Sequence, residues 1–289
     1  MPTTVTPLRY PGGKTQFYPL VKELLTENDL IGHTYIEPFA GGAGIAIKLL
    51  VNDDVSRVII NDIDPAIYAL WYSILHFPDD LCSLIKETPI TVKEWHKQRE
   101  IYKNKKSKKL LLGFSTLFLN RTNVSGVIKG GIIGGLQQNG PYEINARYNK
   151  TALIEKINII KEHKEKINIF NLDALELFEL KEIKTLKKTF LNFDPPYVSK
   201  GAGLYENSYT KDDHEKLAAM IKKSSKKWVV SYDVHPLISK LYTGFRYDYL
   251  DLNYSINIKR KAKEYIFFSP NMCLSDNIKS YTMKSKGAS

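Results

Sequence analysis

The sharpest chemical feature of the 289-residue chain is Asn192-Phe193-Asp194-Pro195-Pro196-Tyr197, which continues an apolar run that begins at Thr189. Two consecutive prolines end a strand and stiffen its exit, because proline fixes φ and has no N–H to give a ladder. Such a turn holds the Asp194 carboxylate, the Pro195 carbonyl and the Tyr197 ring in fixed relation. Two acceptors and one aromatic plane suit an exocyclic base amine. The acceptors take its two hydrogens and the ring stacks on the base. The N6 amine of adenine is a poor nucleophile, since its lone pair is delocalised into the ring. Holding both hydrogens localises that lone pair, aims it, and stabilises the positive charge that grows on nitrogen during alkylation. Contact between the two reactants adds several kcal/mol, up to roughly 7–11 in ideal intramolecular cases. Asp194, Pro195, Pro196 and Tyr197 are therefore the candidate catalytic residues. A rigid turn bearing a surface aromatic is the plainer reading of the same four.

A second constellation suits an adenosyl cofactor. Phe39-Ala-Gly-Gly-Ala-Gly44 follows a predicted strand, Tyr35 to Phe39, and opens a predicted helix, Ile45 to Leu50. Gly41, Gly42 and Gly44 permit close backbone approach, and N–H groups at a helix start favour electron-rich ligand atoms. Asp62 ends the next predicted strand, about twenty residues further on, where a carboxylate accepts both hydroxyls of a ribose. NAD and S-adenosylmethionine both satisfy that spacing, and so does a helix cap ahead of Pro65. Asp173 ends a third predicted strand, Ile167 to Leu172, and reads either as the partner of the cofactor's adenine amine or as a loop carboxylate. Near the start of the chain, Pro11-Gly12-Gly13 is a rigid turn that fixes Lys14, whose cation can pair with a methionine carboxylate. On composition alone Lys14 is a solvated surface residue.

The elements that must position these groups alternate strand and helix. Val58 to Asn61, Thr189 to Phe193 and Trp228 to Tyr232 read as further strands, with Tyr247 to Ile256 and Glu264 to Phe268 joined as terminal strands across Lys259-Arg260-Lys261. Helices are expected at Pro65 to Ile74, Lys150 to Glu165, behind an Asp212 cap with Glu215 as its reciprocal partner, and at Pro236 to Tyr242. Between Ser73 and about Lys150 no βαβ unit is legible. That stretch reads as a mostly helical insertion, with a buried helix at Leu110 to Asn120 and a glycine-rich exposed loop at Gly126 to Gly140, built on turns and a short hairpin. The expected fold is α/β, a doubly wound Rossmann-like sheet whose halves, 1–72 and 151–289, flank the insertion at 73–150.

At these residues the chain resembles the Dam-like, D12-class family of DNA adenine-N6 methyltransferases, from Arg9-Tyr-Pro-Gly-Gly-Lys14 to Lys263-Glu264-Tyr265-Ile266. The resemblance implies the S-adenosylmethionine-dependent methyltransferase sheet, with 1–72 for the cofactor, 73–150 for the target and 151–289 for catalysis. It also implies that Tyr10, Lys14, Phe39, Gly41, Gly42, Gly44, Asp62, Asp173 and Asp194 meet S-adenosylmethionine, and that S-adenosylhomocysteine is the product. It identifies Asp194 to Tyr197 with the catalytic tetrapeptide. Leu119-Asn120-Arg121 followed by Gly126 resembles the family's segment at the DNA interface, and Tyr142 to Tyr148 the segment that closes the insertion. Asn120, Arg121 and Asn123 are placed at the DNA on that ground. Thr122-Asn123-Val124-Ser125 departs from the family's aromatic-containing loop, so no recognition sequence is carried over. Tyr205, Tyr209 and the helix at Asp212 to Leu217 resemble a lid, and Ser231-Tyr232 stands where the family usually has Ser-Asn.

The net charge of +11, from 42 basic against 31 acidic residues, favours a polyanionic partner. The basic run Lys97–Lys109, including Lys105 and Lys106, with Arg121, Lys129 and Arg147, is the candidate for phosphate, and Arg9 is a further candidate at the DNA. Arg121, Gln137, Gln138, Asn139 and Arg147 have the donor and acceptor pattern for base edges. Solvation of an exposed helix explains the lysines equally well. Cys82 and Cys273 make neither a disulfide framework nor a metal pair, and scattered histidines give no zinc spacing, so no metal is expected. An apolar signal core and a membrane-length run are both missing from the sequence, which points to the cytoplasm. The expected partner is double-stranded DNA, with a cognate restriction endonuclease as a further candidate and a monomer or weak dimer as the assembly. RNA adenine-N6 or DNA cytosine-N4 methylation, an NAD-dependent oxidoreductase and a non-catalytic DNA-binding module are the competing readings.

Overall fold

The computed structural model describes residues 4–9, 14–199, 209–254, 260–276 and 278. Tyr10, the Pro11–Gly13 turn and Tyr205 lie outside them. Seven strands form one sheet in the order β3-β2-β1-β4-β5-β7-β6. They are β1 (Thr34–Glu37), β2 (Arg57–Asn61), β3 (Ile167–Phe170), β4 (Thr189–Phe193), β5 (Lys227–Asp233), β6 (Tyr247–Tyr254) and β7 (Arg260–Phe268). The first five are parallel, and β7 is antiparallel to both β5 and β6.

The apolar runs explain the layering. Every residue of β4 is buried, as expected of a central parallel strand covered on both faces. Neighbouring residues on a strand point to opposite faces. Tyr35, Val58, Ile60, Phe190 and Val229 therefore join one core, and Ile36, Ile59, Leu191, Trp228 and Val230 the other. The first core is covered by α1 (Tyr18–Glu27), α2 (Gly44–Val51), α3 (Pro65–His76), α4 (Pro78–Glu87), α5 (Val92–Lys103), α6 (Lys109–Thr122) and α7 (Lys150–Glu162). The second is covered by α8 (Ala174–Glu179), α9 (Lys181–Lys184), α10 (Lys211–Lys223) and α11 (Pro236–Leu241).

The helical insertion is docked onto the sheet body through α6, which is almost wholly buried. Gly113 permits that approach: a Cβ there would stand 2.5 Å from the Ala69 carbonyl oxygen of α3. The loop after α6 contains an isolated antiparallel bridge between Asn123 and Ile132 where a short hairpin was expected.

Helix starts follow side-chain chemistry. Asp64 caps α3 by accepting from the Ala66 N–H at 2.8 Å. The cap of α10 corrects the sequence reading. Thr210, not Asp212, is the N-cap, and Asp213, not Glu215, completes the reciprocal box. A threonine two residues upstream offered the same chemistry, and the helix begins one turn fraction earlier. Among the described residues no helix is long and apolar enough to cross a membrane.

Candidate active site

β1 and β4 are neighbours, yet the chain leaves β1 for β2 on one side and later enters β4 on the other. That reversal is the topological switch point, where open α/β sheets receive ligands beyond their carboxyl ends. The glycine turn leaves β1 and the Asp-Pro-Pro-Tyr turn leaves β4, so both open into this crevice. β7 runs the other way, which brings its early residue Glu264 to the same edge, in register with Asp233 at the end of β5.

Asp194 is the hub. Its Oδ1 accepts from Ser231 Oγ on the adjacent strand at 2.9 Å and from Tyr197 Oη at 3.3 Å. Lys14 Nζ stands 3.3 Å from the same oxygen. Lys14 also donates to Tyr197 Oη and pairs with Glu264. Among the described residues neither Asp194 Oδ2 nor the Pro195 carbonyl accepts a hydrogen bond. Beyond the tetrapeptide, the Asp233 carboxylate takes the N–H groups of Val198 and Ser199 at 3.1 and 2.8 Å, which pins the turn's exit. Tyr197 is buried, with Lys14 Nζ 5.1 Å from its ring centre, so it is no surface aromatic.

The charges are tightly balanced. Burial pushes the Asp194 carboxyl up; Lys14 and the Ser231 hydroxyl oppose that rise, and Glu264 adds to it. For Lys14, burial acts downward, but Asp194 and Glu264 outweigh it and the net shift is upward. Glu264 is buried, and Lys14 is the cation that holds it to Asp194.

On the cofactor side, Gly41 has φ +46°, a backbone state that favours glycine. Gly44 is needed for a reason internal to the chain: a Cβ there would meet Thr15 Oγ1 at 2.1 Å. The 3-10 turn Lys14–Phe17 thus seats on α2 and carries Lys14 to the crevice. Asp62 Oδ2 accepts from the Gly41 N–H at 2.8 Å and Oδ1 from the Asp64 N–H at 2.9 Å. Burial pushes its carboxyl up to about 7. A pocket beside it is lined by Ala40, Asp62, Tyr68, Trp71 and Phe170, and Trp71 Nε1 ties the Gly41 carbonyl at 2.9 Å. Asp173 caps α8 through a reciprocal box with Glu176. Phe39 meets Tyr209 edge-on at 5.8 Å.

Glu37, which the sequence reading missed, closes this end of β1. Its Oε1 accepts from Tyr35 Oη at 3.0 Å and from the Ala46 N–H at 3.2 Å, a free donor of α2's first turn. Asn192 Nδ2 donates to Tyr35 Oη at 2.7 Å, linking β4 to the same network. Burial raises the Glu37 carboxyl to about 8. The folded pKa exceeds the unfolded one, so this group's stabilisation is complete below about 4.5 and is lost as pH rises through about 8. Glu37→Gln, which mimics the protonated acid, is expected to gain stability relative to wild type as pH goes from 5 to about 8. Urea unfolding of both proteins across that range is the measurement, and a pH-independent difference would exclude a buried protonated Glu37. The signal available in the sequence was a carboxylate placed among Tyr-Ile-Glu-Pro at the end of an apolar strand.

The residues expected at the nucleic acid divide into two groups. Asn120 and Asn123 are buried and committed to shaping the loop. Asn120 bonds both the N–H and the carbonyl of Arg9 at 2.8 Å, and the Gly126 carbonyl at 2.8 Å. Asn123 accepts from Trp95 Nε1 at 2.6 Å and donates to the Val127 and Ile128 carbonyls. Gln138 likewise bonds the Ile133 and Gly135 carbonyls and the Ile144 N–H. Arg121 is turned onto the Pro7 carbonyl. Lys97, Lys106, Lys129, Gln137, Asn139 and Arg147 are exposed, with Arg147 over the Tyr142 ring at 5.6 Å. Lys105 Nζ lies 3.3 Å from the Tyr102 ring centre and 4.0 Å from Asp64 Oδ1.

A doubly wound sheet closed by an antiparallel strand pair, a glycine turn after β1, a carboxylate after β2 and Asp-Pro-Pro-Tyr after β4 define a Rossmann-like, S-adenosylmethionine-dependent methyltransferase. The chain belongs to the D12 class N6 adenine-specific DNA methyltransferase family, whose model matches residues 10–256. Over 290 aligned residues it is 29% identical to the type II methyltransferase M.MjaIII of Methanocaldococcus jannaschii, covering 90% of this chain and 96% of that protein. Among solved structures it aligns with the rRNA methyltransferase aviRa from Streptomyces viridochromogenes at a TM-score of 0.38 and 12% identity, over 89% of this chain and 85% of that one.

Proposed function

We propose that the chain transfers a methyl group from S-adenosylmethionine to the N6 amine of adenine in double-stranded DNA, with the target base turned out of the helix. One observation carries this reading. The donors Ser231 and Tyr197, and the Lys14 cation, all converge on Asp194 Oδ1, which leaves Oδ2 and the Pro195 carbonyl as acceptors. Two acceptors on a proline-stiffened turn match the two hydrogens of one amine.

The donor groups fit an adenosyl cofactor. The Phe39–Gly44 turn offers backbone approach, and the Asp62 oxygens each hold one N–H and retain lone pairs for a ribose. Asp173 stands just past β3 at the same carboxyl edge of the sheet, where it caps α8. Bound at this edge, S-adenosylmethionine supplies an electrophilic sulfonium methyl. The protein's part is orientation and charge. Asp194 and Pro195 hold the amine, Tyr197 limits the plane of the base, and the Asp194 carboxylate favours positive charge on N6 as the bond forms. The amine then surrenders a proton, for which Asp194 is the nearest assigned acceptor.

Turning the base out costs a few kcal/mol. Residues 73–150 are assigned to the DNA, with the exposed Lys97, Lys106 and Lys129 offsetting that cost at phosphates. Unmodified duplex DNA, incubated with labelled S-adenosylmethionine and digested to nucleosides, is expected to yield N6-methyladenine. Label in N4-methylcytosine, or transfer to RNA alone, would overturn the proposal.

A further inference from the structure

The first described segment, Thr4 to Arg9, crosses the insertion where α6 ends and α7 passes. Four cations meet there from four directions: Arg9 on the segment, Arg121 on α6, Arg147 on the recognition loop and Lys156 on α7. None forms an ion pair with an acidic residue among those described. Lys156 is buried, and its ammonium donates to Thr4 Oγ1 at 2.7 Å. Arg121 bonds the neutral Pro7 carbonyl. Arg9 Nη1 and the hydroxyl of the buried Tyr148 are both enclosed without a hydrogen-bond partner. The strongest charges felt by these groups are one another's: Arg147 acts on Arg9, Arg9 on Arg121, and Arg121 on Lys156.

A protein interior does not collect like charges without a reason, because each uncompensated buried cation is costly. Elsewhere in this chain the buried cation has its anions, as Lys14 has Asp194 and Glu264. Orphaned donors and a shortage of acids, beside the exposed Arg147, describe a site that lacks its anion. Its position selects the ligand. Arg9 is fixed to Asn120 on α6, and the chain reaches Lys14, which stands at the crevice, five residues later.

We propose that Arg9, Arg121, Arg147 and Lys156 form a seat for one backbone phosphate of the bound DNA, with the Tyr148 hydroxyl as a neutral donor. This rests on the DNA reading above. Of the two roles open to Arg121 and Arg147, phosphate contact and base reading, it selects the first, and it adds Lys156, which lies outside the insertion. A seat of this kind acts identically on every sequence.

The test is Lys156→Met. Removing a buried cation that lacks a counter-charge should leave the free protein's melting temperature unchanged or higher. The advantage over wild type should shrink as pH rises above about 8, where the Lys156 ammonium, lowered by burial and by Arg121, is already neutral. Arg9 and Arg121 stay charged there, and Tyr148 stays protonated, its hydroxyl pushed up by burial. DNA affinity should fall roughly tenfold for unrelated duplexes, and the slope of log affinity against log salt should lose about 0.9, the value of one B-DNA phosphate. Arg9→Gln should reproduce the loss. A Lys156→Met protein that melts earlier, or that keeps its DNA affinity and salt slope, overturns the proposal. Inorganic phosphate separates the two sources of the anion. If it raises the melting temperature of wild type but not of the variant while DNA binding is unaffected, the site takes free phosphate and the DNA assignment is wrong. The nucleoside assay is independent: a cytosine product would end the adenine reading and leave this seat standing.

Discussion

Asp194→Asn is expected to reduce turnover by about 10²–10³ or more, the loss typical of removing one group aligned with developing charge, while DNA and cofactor affinities change by no more than a few fold. The geometry makes the asparagine a sharper probe than alanine. Ser231 Oγ, Tyr197 Oη and Lys14 Nζ all point at the Oδ1 position. Three donors select an acceptor there, so the amide carbonyl takes that place and the NH₂ is forced into the place of Oδ2. The target amine then meets donors where it needs an acceptor, and the carboxylate that favoured charge on nitrogen is gone. Packing survives, because size and shape are conserved and Lys14 keeps Glu264. Single-turnover methylation with saturating DNA separates chemistry from binding. Turnover within a few fold of wild type would remove Asp194 from its assigned role. In wild type, burial raises the Asp194 carboxyl, so protonation on the acid side should imitate the asparagine, and the acid limb of the rate profile should be missing from the variant.

Much of this site was legible because it is written in short, local terms. Asp-Pro-Pro-Tyr needs no distant partner to be rigid, and a glycine turn between an apolar strand and a helix says where a ligand edge lies. Chain order also gave the strand succession, since fully buried parallel strands read as apolar runs. The lines not legible are those that depend on which elements meet. Glu264 lies more than two hundred residues from Lys14, and only the reversed direction of β7 brings it to the crevice. The pairing of Lys14 with Asp194 was hidden for the same reason, so Lys14 was assigned to a cofactor carboxylate. Gly44 was read as room for a ligand, and nothing local reveals that Thr15 is the side chain a Cβ there would meet. Asn120 and Asn123 have the side chains of base readers, and nothing local in Leu119-Asn120-Arg121-Thr122-Asn123 reveals that both turn inward to hold Arg9 and Trp95. The cap of α10 was missed by two residues because Thr210 and Asp212 are both competent caps.

The inward pairing of Lys14 leads to the second large effect. Lys14→Met is expected to destabilise the fold by about 3–5 kcal/mol, the loss typical of leaving a buried charge without its partner. Two carboxylates would then face each other across a water-poor crevice. Burial and the Glu264 charge would then push the Asp194 carboxyl up without the opposing cation. If Asp194 takes the proton it loses the acceptor that the amine needs, and methyl transfer falls with it. Glu264→Gln made in the same chain removes the surplus charge and should restore a large part of the stability. The double variant should therefore be more stable than Lys14→Met alone, a coupling that a cycle of four proteins measures directly. This pattern differs from that of a lysine serving only the cofactor. Such a lysine would raise the KM for S-adenosylmethionine, leave the unfolding free energy of the free protein within about 1 kcal/mol, and show no coupling to Glu264. Urea unfolding of the cofactor-free proteins decides between them, because the ion pairs of Lys14 with Asp194 and Glu264 are made within the chain itself. The Asp-Pro-Pro-Tyr turn is then more than a motif at a strand end: its carboxylate is held in charge and direction by a cation from the Lys14–Phe17 turn and an anion from β7.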